Sequence, residues 1–429
     1  MRHLSVLMLI TVLFANTFAA QAYQANKIGN DRFSFKVQPY IGFYIDKSPN
    51  MEVLKPNPPT GINFGIEFPS SQQRPWQQYL KNATWGIGVS TIDFGHDMIG
   101  NSVALYPYLM LNCVRSEHFE MKVKLASGLA VVSEHWFTQE DTDPSHYHDV
   151  TTSTTFGCYL NAYLSAGLNL NFPITRNFAI NSEFGFFHMS NGRTCMPNIG
   201  ANVFYGGVGL ITTINPDEEK EPIHFPDFPY RWSLNFTVAA GAQKSAIADT
   251  HRYLISSLHT GAIYNVCNWY GVGPGVDLFF NDAIDKDTDR SLYRKDVDYK
   301  FSDKLRAGIA LNNEFKFGLV TAIFDWGVYF YNPSRNYYDH DHPIYGYGKR
   351  PLFYKNDGAG IDEAFHYCRF GVKCRVWDNL YLQATAKTHL QICEYVEFGV
   401  NYQLPFLSKS KRQAGKSIIW HHHKEWWND

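Results

Sequence analysis

An all-β, antiparallel transmembrane β-barrel of outer-membrane type, with about sixteen strands, is the fold predicted by this 429-residue sequence. Three observations carry the prediction: strand patterns too long for an ordinary soluble sheet, an apolar face opposite a polar one along them, and connections whose lengths alternate from one end to the other. Composition agrees. Charged residues make up 18% of the chain, against roughly 25% in an average soluble protein. Aromatics reach 16%, and these residues suit strands and membrane interfaces. A net charge of -2 gives no electrostatic footprint for nucleic acid. An apolar content of 45% excludes a mainly disordered chain.

Taken in order, residues 1–22 read as a secretory signal peptide. Arg2 and His3 make a basic start, Leu4 to Phe18 an apolar run, and Ala20-Gln21-Ala22 a small-residue cleavage site before Tyr23. The run is too short for a membrane anchor, and no later stretch approaches the ~18 to 20 uninterrupted apolar residues of a membrane helix. A first barrel half at 23–213 follows, with strands near 33–45, 61–69, 84–94, 102–115, 118–134, 154–172, 177–190 and 199–213. Its clearest alternation starts at Phe156, where Cys158, Leu160, Ala162, Leu164, Ala166, Leu168, Leu170 and Phe172 share a face for about 17 residues. Another run sets Phe119, Met121, Val123 and Leu125 against Glu120, Lys122 and Lys124. An apolar outer face with a charged inner one is the membrane-barrel pattern.

A Pro-rich connector occupies 214–229, and a second half at 230–406 has strands near 230–246, 255–267, 269–281, 303–313, 315–330, 361–375, 379–391 and 394–405. A basic tail at 407–429, with Lys409, Lys411, Arg412 and Lys416, is read as periplasmic. Short turns fall at Ser116-Glu117, Pro173–Arg176, Asn312–Glu314 and Val376–Asn379. Long loops fall at 46–60, 135–153, 282–302 and 331–360 on the opposite side, and the connection at 70–83 is a long exception. The connector allows one barrel of about sixteen strands or two of eight. The single barrel is preferred, because a Pro-rich connector is enough to join two neighbouring strands.

The residues with chemistry in them lie between Phe184 and Asn202. Strand parity puts Phe178, Ile180, Phe184, Phe186, His188 and Ser190 on the apolar face, opposite Asn181, Glu183 and Gly185. Polar groups on a lipid face are costly, so a His and a Ser there suggest function. Ser beside His is the minimum for a nucleophile and its base. Asn191, Asn198 and Asn202 are candidates to orient the imidazole or to stabilise an oxyanion, with Asn198 and Asn202 sharing a strand face. On spacing alone, a polar loop opening at the barrel rim explains the same residues, because H-x-S-N is a short motif.

The run His188-Met-Ser190-Asn191-Gly192, followed by Pro197-Asn198-Ile-Gly200-Ala-Asn202, resembles the active-site segment of the PagL-type lipid A 3-O-deacylases. Gly95-His-Asp-Met-Ile-Gly-Asn-Ser-Val-Ala-Leu-Tyr-Pro-Tyr108 resembles a further segment of that family, and the likeness is best over about 84–213. The resemblance implies an outer-membrane barrel of a Gram-negative bacterium whose lipid-facing residues hydrolyse the ester-linked 3-O-acyl chain of lipid A. It implies Ser190 as nucleophile, His188 as general base and Asn198 as the oxyanion-stabilising Asn. Asn202 stands where the family's prototype has a Glu as third triad member. The expected partners are lipopolysaccharide, through its lipid A, and outer-membrane lipids, without a cofactor and without nucleic acid.

The second half is expected to be non-catalytic. Its run Lys387-Thr-His389-Leu-Gln391 faintly echoes the first-half motif but has Gln391 for the Ser, and parity points His389 inward, toward a polar network with Glu397. Two other functions stay open: a porin or structural barrel with an inactive site, and a palmitoyltransferase-like barrel with an internal hydrocarbon pocket. Asp285-x-Asp287-x-Asp289 lacks the Gly and distal Glu of a calcium loop. His146, His148, Asp149, His340, His342 and His421 to His423 read as exposed, so no metal is expected. The seven cysteines form no CxxC or zinc cluster and read as buried or lipid-facing thiols.

Overall fold

In the computed structural model the sixteen strands close twice. Residues 32–45, 54, 56–70, 80, 83–136, 153–216, 230–245, 251–286, 300–333, 365–389 and 392–407 are described. The first barrel is β1 (Phe33–Tyr44), β2 (Thr60–Pro69), β3 (Thr84–Asp93), β4 (Asn101–Arg115), β5 (Glu120–Val132), β6 (Leu160–Pro173), β7 (Phe178–Ser190) and β8 (Ala201–Ile214). The second is β9 (Tyr230–Gln243), β10 (Tyr253–Asn265), β11 (Tyr270–Asn281), β12 (Leu305–Phe317), β13 (Val320–Tyr331), β14 (His366–Trp377), β15 (Leu380–His389) and β16 (Ile392–Leu407). All pairs are antiparallel neighbours in sequence, apart from the two closures, β1 with β8 and β9 with β16.

The single barrel of about sixteen strands is therefore overturned, and the two-barrel alternative holds. β8 returns along β1 from Phe33↔Ile214 to Tyr44↔Val203, so the first ladder is complete before the connector begins. The interiors explain why eight strands suffice, since a barrel of that size has room only for side chains. Tyr40, Tyr106, Tyr163, Phe187 and Tyr205 fill the first interior, joined by Phe94 and Phe156. Ile255, Phe279, Tyr367 and Tyr395 pack in the second. Eight-stranded barrels filled in this way are narrower than the sixteen- to eighteen-stranded barrels that hold a porin's aqueous channel.

Period-two alternation runs through both barrels. In β1, Lys36, Gln38 and Tyr40 are buried inside, while Phe35, Val37, Ile41 and Phe43 are exposed outside. Exposed Phe236, Val238, Leu258, Val276, Phe324 and Trp326 continue the apolar exterior on the second barrel. An exterior this apolar around so polar an interior belongs in hydrocarbon, and the pair is an outer-membrane protein. No helix is long and apolar enough to cross a membrane among the described residues.

Buried charges hold each interior. In the first, Glu183 accepts from Lys36 at 2.5 Å, from Lys124 at 2.9 Å and from Asn169 at 3.0 Å, and Tyr205 also donates to it. In the second, the Arg369 guanidinium bridges Asp277 and Glu397, each at 2.8 Å. Tyr367 and His259 complete Asp277, while Ser257 and Thr385 complete Glu397. A further layer has Arg306 and Lys387 on Glu394, and Lys373 on Glu314.

Two departures from the expected strand boundaries show how the filled interior redirects side chains. Asn312–Glu314 is not a turn, because β12 continues to Phe317 and the turn falls at Gly318, where φ is +74°. Asn312 and Glu314 point into the barrel, where Glu314 meets Lys373 and Asn235. β6 begins at Leu160, and Phe156 leaves the lipid face to pack inside, its ring 5.3 Å from that of Phe94. In a filled barrel, polarity marks the interior as readily as it marks a turn. The signal-peptide residues, the connector from 217 to 229, the tail from 408, and the His146, His148, Asp149, His340, His342 and His421 to His423 clusters lie outside the described residues.

Replacing Glu183 by Ala strips Lys36 and Lys124 of their shared counter-charge in a dry interior. The expected loss of stability is about 3–5 kcal/mol, the scale for breaking a buried ion pair from one side. Urea or thermal unfolding of the detergent-folded protein measures it, and an unchanged midpoint would contradict this account of the interior.

Candidate active site

The site starts from strand register. β7 alternates Asn181, Glu183, Phe187 and Met189 inward with Phe178, Ile180, Phe184 and His188 outward. Ser190, two residues beyond His188, shares its side. On the neighbouring strand Asn202 is the register partner of His188, and it points outward with Phe204, Val208 and Leu210. Three polar side chains from two adjacent strand ends thus converge outside the barrel wall.

They form a hydrogen-bonded chain. Asn202 Oδ1 lies 2.8 Å from His188 Nδ1, and His188 Nε2 lies 2.8 Å from Ser190 Oγ. An amide oxygen only accepts, so Nδ1 carries the proton and Nε2 presents its lone pair to the Ser190 hydroxyl. This tautomer leaves Nε2 able to take a proton from Oγ. Asn202 orients the ring as a carboxylate would, without supplying negative charge.

Asn191 and Asn198 belong to the loop that follows. Asn198 precedes β8, which starts at Ala201, so it does not share a strand face with Asn202 as the parity reading had it. Its Oδ1 accepts the Asn191 N–H at 3.1 Å, and Asn191 Oδ1 accepts the Cys195 N–H at 3.2 Å. These bonds curl residues 191–198 back over the strand end. Asn191 Nδ2 is buried with no hydrogen-bond partner among the described residues. A dry amide donor next to Ser190 has the chemistry an oxyanion needs.

Residues of the β5–β6 connection, which sequence reasoning passed over, brace the loop from its own barrel. Ile199 N–H donates to Thr154 O at 3.2 Å and Gly200 N–H to Thr155 O at 2.9 Å. Gly200 is needed twice over. Its φ of +79° is a left-handed conformation, and a Cβ there would lie 2.7 Å from Met189 O, 3.1 Å from Ser190 Cβ and 3.2 Å from His188 Cε1. The motif shows this glycine, but only the fold shows what it touches.

Other candidates fall away from this site. His389 is fully buried inside the second barrel, with its Nε2 3.2 Å from Tyr329 Oη and its Nδ1 3.7 Å from Glu394. The expected neighbour, Glu397, instead serves Arg369, because it sits opposite Thr385, four residues along β15 from His389. Asp285 pairs with Lys304 at 2.9 Å, while Asp287 and Asp289 lie outside the described residues. No group of three metal-ligating side chains occurs among the described residues.

A closed antiparallel barrel with an apolar exterior and a polar, filled interior falls in the class of outer-membrane barrel proteins. Residues 60–210 match the family model described as lipid A 3-O-deacylase (PagL), and residues 232–347 match that of the acyloxyacyl hydrolase C-terminal domain. With both models matched in order across its two barrels, the chain belongs to the PagL-type lipid A 3-O-deacylase family, hydrolases that act on lipid A. The crystal structure of the outer membrane enzyme PagL is similar at 14% identity and a TM-score of 0.26, covering 42% of this chain and 98% of that one. A mutant Rh. blastica porin is similar at 10% identity and a TM-score of 0.17, covering 87% of this chain and 100% of that one. Scores this low add nothing to the barrel geometry already described. No curated protein sequence matches the chain.

Gly200→Ala is expected to fold but to push the loop off Ser190 and His188. Labelling of Ser190 by a fluorophosphonate probe should slow about tenfold or more, since small misplacements of reacting groups are expensive. Labelling at the parental rate would contradict the close fit of Gly200 over the pair.

Proposed function

We propose that the first barrel is an esterase that removes the 3-O-acyl chain of lipid A from its lipid-facing side, with Ser190 as nucleophile and His188 as general base. The observation that carries this reading is the Asn202–His188–Ser190 hydrogen-bonded chain on the outward parity of β7 and β8. A substrate embedded in the bilayer meets that face without entering a barrel.

Ser190 Oγ attacks the ester carbonyl as its proton passes to His188 Nε2. The resulting oxyanion is stabilised by amide donors, for which Asn191 Nδ2 and the Asn198 side chain are the nearest supply. As the acyl C–O bond breaks, His188 gives that proton to the departing sugar oxygen, which leaves as a hydroxyl with an acyl-serine behind, and water repeats the cycle to free the hydroxyacyl acid and Ser190. Asn202 holds the productive tautomer throughout. The second barrel is assigned no chemistry of its own, since Gln391 stands where its echo of the motif would need a Ser. The filled interiors weigh against the porin reading.

Expression in a lipid-A-producing bacterium tests the assignment. Lipid A from cells carrying the parent chain should lose one hydroxyacyl chain by mass, and lipid A from cells carrying Ser190→Ala should not. Intact lipid A beside a correctly inserted parent barrel would exclude the deacylase, and equal loss with both chains would exclude Ser190. Asn202→Glu supplies the missing carboxylate to the imidazolium formed during attack. It should raise kcat severalfold with KM little changed, and Asn202→Ala should lower kcat; a Glu variant slower than the parent would argue against a charge-limited step.

A further inference from the structure

The loop over Ser190 is held from a second side, by the other barrel. Gly192, at φ +59°, lies so close to β16 that a Cβ would fall 2.6 Å from Val396 Cγ2 and 3.3 Å from Cys393 Sγ. Arg193 O accepts the N–H of Lys244, which follows β9, at 3.3 Å. Arg252, immediately before β10, donates from Nε to Thr194 O at 3.0 Å and from Nη2 to Cys195 Sγ at 3.1 Å. Four consecutive loop residues, 192 to 195, are thus contacted by three separate pieces of the second barrel.

The contact is built rather than incidental. A planar guanidinium spanning a backbone carbonyl and a side-chain sulfur fixes both the position and the orientation of the loop, which a single point contact would not. Its contact with Cys158 and the Arg252 guanidinium both pull the Cys195 thiol below its usual range, against the effect of burial, which favours the charge-assisted form of the Arg252 contact. Cys195 in turn donates its N–H to Asn191 Oδ1, and Asn191 follows Ser190 directly. The path from Arg252 to the unpartnered Asn191 Nδ2 therefore crosses only Cys195. On β16 the contact stays at the rim: Val396 is half-buried, while Phe398 and Val400 further along are exposed.

We propose that the second barrel is a positioning unit for the catalytic loop of the first, acting through Arg252 as a positioning residue that fixes Asn191 and Asn198 beside Ser190. This rests on the deacylase reading and explains what a barrel without its own nucleophile contributes. Arg252 touches neither Ser190 nor His188, so its effect falls on the organisation of the site rather than on the nucleophile.

The test uses the full chain in mixed micelles with purified lipid A, comparing the parent with Arg252→Ala, Arg252→Lys and Ser190→Ala. For Arg252→Ala, amide hydrogen exchange in the 191–200 segment should rise while the strands stay protected. Its kcat should fall about tenfold or more, the scale of small misalignments at a reacting centre, with KM within about twofold of the parent. Arg252→Lys keeps one donor for Thr194 O and should recover part of both effects. Unchanged exchange in the loop overturns the brace, whatever happens to activity. Raised exchange with parental kcat, or a change in KM alone, overturns its coupling to chemistry. If Ser190→Ala hydrolyses as fast as the parent, the assignment of Ser190 fails and the coupling falls with it; if neither chain hydrolyses lipid A, the deacylase reading fails, and the exchange data tell either failure apart from loss of the brace alone.

Discussion

In hydrocarbon no water is available to a backbone N–H or C=O, so every strand edge must find a partner strand. The rest of this structure depends on that constraint. β1 finds β8 and β9 finds β16, and each closure ends a sheet at a size whose interior is only as wide as two facing side chains. The interior must then be filled, and what fills it is a mixture of aromatic rings and ion pairs. Glu183 between two lysines and Arg369 between two carboxylates are the clearest cases. Charge is tolerated there because each carboxylate is surrounded by donors, which an isolated charge in the same place would lack.

Much of this is legible in the sequence because strand parity is a local property. The alternation through Leu160 to Phe172 and the pairing of Glu120, Lys122 and Lys124 opposite Met121, Val123 and Leu125 mark membrane strands without knowledge of their neighbours. The number of barrels is not local. Closure of β1 on β8 joins segments at opposite ends of the first half, and no nearby residue announces it. The same limit misplaced the turn at Asn312–Glu314, where the polar residues answer to Lys373 and Asn235 across the interior rather than to solvent. Phe156 misled for the opposite reason, being apolar but packed inside against Phe94.

The candidate site divides along the same line. His188, Ser190 and Asn202 could be placed on one face from parity, and their contact follows from the register His188↔Asn202. Asn191 and Asn198 sit on a curled loop whose shape depends on Thr154, Thr155 and Gly200, and alternation says nothing about such a segment. Arg252 was beyond reach altogether. It meets Thr194 and Cys195 only because two separately closed barrels lean together at one rim.

Because successive side chains point to opposite walls, a strand behaves like a two-letter reading frame. Within β7 and β8 this frame separates the His188, Ser190 and Asn202 positions from the apolar and ionic filling of Phe187, Met189 and Glu183. Substitutions leave the frame intact, but loss or gain of one residue between Asn181 and Ser190 would send the whole trio's side of β7 inward and drive Glu183 or its neighbours toward lipid. Lineages of this chain should therefore accumulate length changes in the loops and, within these two strands, only in steps of two.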